Sequence, residues 1–426
     1  MTNKASSLPS TEASAAPPQP RRSDPASVAQ YLLSFEWPMQ NKPVFENLVQ
    51  GGLPLWLEIV SVVPERRERG RLLELGSPPF HITLLMQKFH NYDLTLTAAA
   101  ADGRPRIEQT VVSKAYGEEH RFDCVCFDLE HDRFPFPDNA FDVVMWCEVI
   151  EHLTENPVLA LREIHRVLKP GGALVISTPN VARVENILRL CVGVNIYDPY
   201  HLGAPLRGSR HSREYTLADL TDLLTGCGFR VDMAQGRELG QEPLVRIRRA
   251  LLALVRFALQ WAPGVHASHL FVRAVKEGPF RWAFPPTIFD TGHLLWYLHV
   301  CDREVIMGRN DIPHTMLGWG PTDTGVEGKV QRRAGDEAHA FLVSSQPFAR
   351  AVLEVAGTEA LTAVEVQAFQ GADATLRQLG TVRSDVPAGR WSRLEVPLQS
   401  PQVGERVHLR ILAPKGLHVH RMALEP

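Results

Sequence analysis

Along residues 122–180 two apolar, β-branched runs, 143–146 and 173–177, bracket a stretch in which Val158, Leu161, Ile164, Val167 and Leu168 recur at helical spacing. Asn156 can cap that helix and Pro157 suits its first position. Lys169 favours its negative end, and Pro170-Gly171-Gly172 stops it. A strand, a helix with one apolar face, then a strand apolar throughout predict a βαβ unit of a parallel sheet.

The pattern extends both ways. Residues 71–75 form a buried strand ended by Gly76, and 81–89 a helix with Ile82, Leu85, Met86 and Phe89 on one face. Residues 92–97 alternate as a second strand. Runs 109–114 and 120–127 around Tyr116-Gly117 predict a hairpin, with a helix over 107–116 as the alternative. Short helices are expected at 28–33 and 43–49. A helix capped by Thr216 covers 216–225, and strands follow at 229–234 and 269–275. Between those strands lies an insertion, 241–266. Its 244–261 stretch sets Arg246, Arg248, Arg249 and Arg256 among apolar residues, a pattern that suits a membrane surface or an anionic carrier, or a helix packed on the sheet.

Beyond an aromatic-rich connector, 277–326, the period changes. Alternating runs at 340–343, 349–355, 363–369, 376–382, 392–398, 406–412 and 418–424 predict a jelly-roll-like β-sandwich over 327–426. Trp319 and Trp391 are candidates to contact a ligand there, or to fill the core. Residues 1–26, rich in Ser, Ala and Pro, are expected to be disordered. The fold class is therefore α/β, a doubly wound Rossmann-like sheet over 27–276, followed by an all-β sandwich.

Composition narrows the function. The 426 residues are 44% hydrophobic and 22% charged, as in soluble globular proteins of two or three domains. A net charge of −3 provides no basic field for nucleic acid. Six cysteines are scattered; Cys124 and Cys126 lack a second Cys or His pair nearby, so buried thiols are expected and no metal site. No membrane-spanning run and no signal-like segment stand out, which predicts a cytoplasmic protein, peripheral at the inner membrane face if 244–261 lies on lipid.

Two strings carry a family likeness. PFPDNAFDVVMWCEVIEHL (135–153) and EIHRVLKPGGALVISTPN (163–180) resemble the fourth strand, following helix and fifth strand of class I S-adenosylmethionine-dependent methyltransferases, and the likeness extends over 27–276. It implies S-adenosylmethionine as cofactor. Glu74, Gly76 and Ser77 fall where the family places acidic-x-Gly-x-Gly-x-Gly, but Pro78 and Phe80 replace the second and third glycines. The ribose carboxylate usual after the second strand is replaced by alanines, leaving Asp102 as the late candidate. The likeness implies an adenine contact from Asp128 and Leu129, more than from Glu130, and a methionine-side lining from Cys147 and Glu148.

For catalysis, Glu151 and His152 leave the fourth strand at the same edge, as a general base or as loop-orienting groups. Loop 181–215 adds His211, Arg213 and Glu214, which suit binding or deprotonating an alcohol, or simple solvation. The block 74–215, with the sandwich behind it, resembles bacterial methyltransferases of surface-polysaccharide assembly. That implies O-methylation of a sugar hydroxyl or glycan-linked acceptor. A small-molecule O-methyltransferase of natural-product pathways, or a degenerate scaffold with a glycan-binding sandwich, are the alternatives. Oligomeric state is open.

Overall fold

A computed structural model describes residues 19–37, 42–99, 104–154, 157–199, 210–239, 264–281, 285, 287–289, 303–311, 314–315, 318–371, 377–414 and 416–426. Asn156, Asp102, the basic stretch 244–261 and the first 18 residues lie outside them. By contacts the chain divides into two units: 1–157, 163–217 and 230–277; and 158–162, 218–229 and 278–426.

The first unit is built on an eight-stranded sheet. Its strands are β1 (Gly70–Glu74), β2 (Tyr92–Ala98), β3 (Arg106–Ser113), β4 (Glu118–Cys126), β5 (Phe141–Cys147), β6 (Leu168–Pro179), β7 (Phe229–Arg237) and β8 (His269–Lys276), in the order β3-β4-β2-β1-β5-β6-β8-β7. β4, β2, β1, β5 and β6 are parallel to their neighbours in that run, while β3 pairs antiparallel to β4 and β8 antiparallel to β6. The central strands are buried nearly throughout, which explains their unbroken apolar runs. The predicted hairpin is present as β3 and β4, and no helix forms over 107–116.

Three helices cover one face. α1 (Pro25–Leu33) starts at Asp24, whose side chain accepts from the Ala26 and Ser27 amides at 3.2 and 3.4 Å. α3 (His81–Phe89) has the predicted bounds. α2 (Lys42–Val62) is much longer than expected and runs through Gly51, Gly52 and Pro54. The expected helix covers only 43–49, and glycine and proline are poor helix formers. The stripe Val49, Leu53, Trp56, Ile59 and Val60 continues, however, and is buried with Leu72, Tyr92, Leu96 and Val143 of the sheet. Burying a large apolar side chain contributes roughly 1.5–3 kcal/mol, more than the ~1 kcal/mol a helical glycine costs. α4 (Val158–Val167), α5 (Val184–Cys191) and α6 (Leu217–Gly226) are the remaining α-helices among the described residues, and α4 begins immediately after Pro157.

The second unit holds two antiparallel sheets. One has the order β10-β11-β18-β13-β16 with β9 on β18: β9 (Glu304–Ile306), β10 (Trp319–Thr324), β11 (Val330–Ala334), β13 (Arg350–Gly357), β16 (Ser392–Pro397) and β18 (Leu417–Glu425). The other has the order β12-β17-β14-β15: β12 (Glu337–Leu342), β14 (Leu361–Gln370), β15 (Arg377–Val386) and β17 (Val407–Leu412). Their inward side chains form one cluster, including Leu353, Val355, Val396 and Val419 from the first sheet and Val366, Ala368, Leu409 and Ile411 from the second. All seven predicted runs are strands. β9 and β10 lie in the stretch expected as a connector. The Trp319 indole donates to the His339 carbonyl at 2.7 Å and Trp391 to the Val326 carbonyl at 3.0 Å, so both rings are tied into their own unit.

Candidate active site

The carboxyl ends of β1, β2, β4, β5 and β6 lie along one edge of the first sheet, where Glu74 pairs in register with Leu96 and Met145, Ala98 with Cys126, and Cys147 with Ser177. In such sheets this edge is where ligands bind. A cleft of about 450 Å³ bounded by Arg66, Arg67, Asp142 and Gly171 lies at the opposite, amino ends of β1 and β5 and is separate from this edge.

Gly76 turns the chain after β1 with φ +76°, and a Cβ on it would come within 2.6 Å of Val149 Cγ2. Only glycine fits both the torsion and the space. Ser77 is buried and ties the turn to β2: its amide donates to the Thr97 carbonyl at 2.8 Å and its Oγ accepts from the Thr97 amide at 3.2 Å. Glu74 is buried beneath the turn. It accepts from Thr83 Oγ1 at 2.7 Å, and burial pushes its carboxyl up to about 7. Phe80, in the place of the third glycine, keeps a left-handed φ of +70°. Its ring is buried and stacks on Phe122 at 4.7 Å, while Pro78 and Pro79 are exposed. The non-glycine residues of the turn therefore leave the edge at Gly76 open.

The loop after β4 uses its acids internally. Asp128 Oδ1 accepts from the Glu130 amide at 2.8 Å, and its Oδ2 lies 3.0 Å from His131 Nδ1. Glu130 accepts from both the amide and the Oγ1 of Thr154, at 2.9 and 3.0 Å, and so joins this loop to the one after β5. Leu129 lies between them, partly buried. Gly76 thus packs against Val149, the neighbour of Glu148, and Glu130 ties the 128–130 loop to the loop after β5.

After β5 the chain carries two carboxylates and an imidazole inward. Cys147 is buried, which pushes its thiol up. Glu148 takes φ +53° and accepts from Ser177 Oγ at 2.7 Å; burial and the nearby Glu151 charge raise its carboxyl well above the usual range. Glu151 is fully buried in a 3-10 turn at Ile150–His152, and burial raises it too. Its Oε2 accepts from Thr178 Oγ1 at 2.9 Å, while Oε1 has no hydrogen-bond partner among the described residues.

His152 Nδ1 lies 3.1 Å from the Arg210 carbonyl, which can only accept. The neutral ring therefore carries its proton on Nδ1 and keeps a lone pair on Nε2, 4.0 Å from Glu151 Oε1. Burial holds this histidine below its ordinary value. Loop residues 210–215 bring His211 edge-on to His152, with ring centroids 4.9 Å apart. The Ser212 and Arg213 amides donate to the Glu151 carbonyl at 2.7 and 3.2 Å, which fixes that approach. His211 Nδ1 pairs with Glu214 Oε1 at 3.0 Å, which raises the imidazole. Against the cost of burial, hydrogen bonds from His211 and Arg183 hold Glu214 down at about 2.

The structure thus places Gly76, Ser77, Glu74, Cys147, Glu148, Glu151, His152 and His211 along the carboxyl edge of the sheet, with Asp128 and Leu129 on the loop after β4 at the same edge. The partners that position them, Thr83, Thr97, Ser177 and Thr178, escape sequence reasoning. Each is an unremarkable hydroxyl at a strand end or on a buried helix face, and no spacing marks it.

Residues 74–176 match the family described as "Methyltransferase domain". A probable S-adenosylmethionine-dependent methyltransferase from Mycolicibacterium smegmatis is 36% identical over 112 residues, 26% of this chain and 37% of the relative. One from Mycobacterium tuberculosis is 31% identical over 144 residues, 34% of this chain and 40% of the relative. The chain spans well under half the length of these relatives. Among solved structures, a SAM-dependent methyltransferase from Archaeoglobus fulgidus is 15% identical, covers 56% of this chain and 100% of its own, and scores a TM of 0.34, too low to carry an argument. The cradle at Gly76, closed to any Cβ, and the buried Glu74 beneath it fit the cofactor that the sequence match implies. The segment from Glu74 to Ile176 is a methyltransferase domain of the class I S-adenosylmethionine-dependent kind.

Proposed function

We propose that this chain transfers a methyl group from S-adenosylmethionine to a hydroxyl oxygen. The cofactor, when bound, supplies a methyl group already activated as a sulfonium. Gly76 and Ser77 would hold it against β1, Glu74 would face its ammonium end, and Asp128 and Leu129 would flank its base. Cys147 and Glu148 would line the methionine side. No described residue after β2 takes the place of a ribose carboxylate at 98–99, and Asp102 lies outside the described residues.

The observation that carries the choice of oxygen is the convergence of Glu151, His152 and His211 at the carboxyl edge, with His152 Nε2 4.0 Å from a carboxylate oxygen that has no hydrogen-bond partner among the described residues. An alcohol must lose its proton as the methyl arrives, and such a cluster eases that loss. Alignment of the acceptor with the methyl group supplies much of the remaining rate.

The finer reading is a sugar hydroxyl or a lipid-linked glycan of surface-polysaccharide assembly. The orders β11-β18-β13-β16 and β12-β17-β14-β15 support reading the C-terminal sheets as a jelly-roll-like sandwich, an architecture that often serves carbohydrate binding. An exposed apolar row on and after α5 (Leu188, Leu190, Val192 and Tyr197) supports a lipid carrier. His152→Ala and His211→Ala should each cut turnover with cofactor affinity little changed. Full turnover in both variants would refute the acceptor-side assignment. Transfer of tritiated methyl to fractionated lipid, glycan, protein and small-molecule pools of the source cell identifies the acceptor. Label confined to protein would overturn the hydroxyl-glycan reading.

A further inference from the structure

We infer that Glu151, His152 and His211 form a binding site for one divalent first-row transition cation. One carboxylate oxygen and one ring nitrogen from each histidine lie within 4.8 Å of one another. Residue types and spacing along the chain do not announce this site, because His211 reaches the other two only through the loop that returns after β6.

Two independent features point to a ligand. The first is Glu151 Oε1: the residue is fully buried, its other oxygen is satisfied by Thr178, and Oε1 has no hydrogen-bond partner among the described residues. A buried carboxylate oxygen left bare is costlier than a neutral unsatisfied group, so the site calls for a positive partner. His152 does not provide it directly, since 4.0 Å is too long for a hydrogen bond.

The second is how the rings are held. Nδ1 of His152 is engaged by the Arg210 carbonyl and Nδ1 of His211 by the Glu214 carboxylate, so each ring keeps Nε2 as its available lone pair. A carbonyl or carboxylate on the far nitrogen is the arrangement that orients metal-binding imidazoles and raises their basicity. An ion about 2.1 Å from each ligand needs them roughly 3–3.5 Å apart, so the widest separation, up to 4.8 Å, closes by about 1.5 Å through side-chain rotation.

Two imidazoles and one carboxylate suit Mn²⁺, Fe²⁺, Co²⁺ or Zn²⁺ and not Mg²⁺ or Ca²⁺, which prefer all-oxygen shells. Three protein ligands leave positions open, and an alcohol oxygen placed on one of them becomes more acidic. That role rests on the reading of this cluster as the acceptor side; the binding itself does not.

The test needs neither cofactor nor acceptor. The full chain, stripped with chelator, is titrated with Mn²⁺ and Zn²⁺ by calorimetry, and its Co²⁺ form is read by visible absorption. One ion per chain is expected. Glu151→Gln and His211→Ala should each weaken binding at least ~10-fold, and Glu214→Gln, which reaches the ion through His211, by ~10-fold or more. If Glu151→Gln does not fold, His211→Ala carries the comparison. No ion bound by the stripped protein, or the same affinity in the folded variants, overturns the site. Ion binding without methyl transfer leaves the site standing and sinks the proposed function. Methyl transfer that survives chelation, with no ion bound, does the reverse.

Discussion

Ser177 Oγ donates to Glu148 Oε1 at 2.7 Å, and the Glu148 amide donates to the Ser177 carbonyl at 2.8 Å. This reciprocal pair locks the end of β5 to the end of β6 where the chain turns through Glu148 at φ +53°. Ser177→Ala removes the side-chain half and leaves a partly buried carboxyl without its donor. The unfolding free energy should drop by about 1–2 kcal/mol in a denaturant titration. An unchanged midpoint would show that the backbone half alone holds the turn.

At Gly76 two costs can be separated. Alanine there pays about 1–2 kcal/mol for the left-handed torsion, and its Cβ meets Val149 Cγ2 at 2.6 Å. Gly76→Ala should weaken S-adenosylmethionine binding by at least ~10-fold. Adding Val149→Ala should recover the part due to contact and leave the torsional part. Calorimetry on the two variants checks this, and no recovery in the double variant would place the clash elsewhere.

Phe80 combines a strained torsion with a buried ring. Phe80→Ala should cost about 3–5 kcal/mol by emptying the space against Phe122. Phe80→Gly empties the same space and also relieves φ +70°, so it should be the milder change by about 1 kcal/mol. Equal losses in chemical denaturation would mean that the torsion is not maintained in solution.

Glu74 gives a pH dependence of definite sign. Burial raises its carboxyl to about 7 from an ordinary 4.5, so between those values the folded chain binds the proton and the unfolded chain does not. Its contribution to stability is therefore fully present below about 4.5 and is lost as pH rises through 7. Glu74→Gln should gain on the parent chain by up to about 3 kcal/mol between pH 5 and pH 8 without cofactor. A pH-independent difference between the two proteins would contradict this.

Much of the fold is legible because burial leaves a period in the letters. Among the C-terminal strands β14, β15 and β16 alternate with solvent, while β12 and most of β13 and β18 are buried, and β5 and the second half of β6 are buried almost throughout. α2 is misjudged at Gly51-Gly52, where tertiary burial outweighs local propensity. β9 and β10 go unread: one is three residues long, and the other, WGPTDT, is mostly exposed and carries proline and glycine. In the site, the pair Glu151-His152 is readable from its place after a buried strand. The approach of His211 is not, because a loop closure fixed by two amides on the Glu151 carbonyl leaves no mark in spacing. Asp128 is placed at the right edge, yet its carboxylate is taken up by Glu130 and His131, a local turn that residue type alone does not distinguish from a ligand contact.

The turn after β1 keeps two left-handed residues, Gly76 and Phe80, although only one of them is glycine. What a bound nucleoside meets there is the course of the main chain. Counting glycines would therefore undervalue this turn, whereas its torsion angles display it.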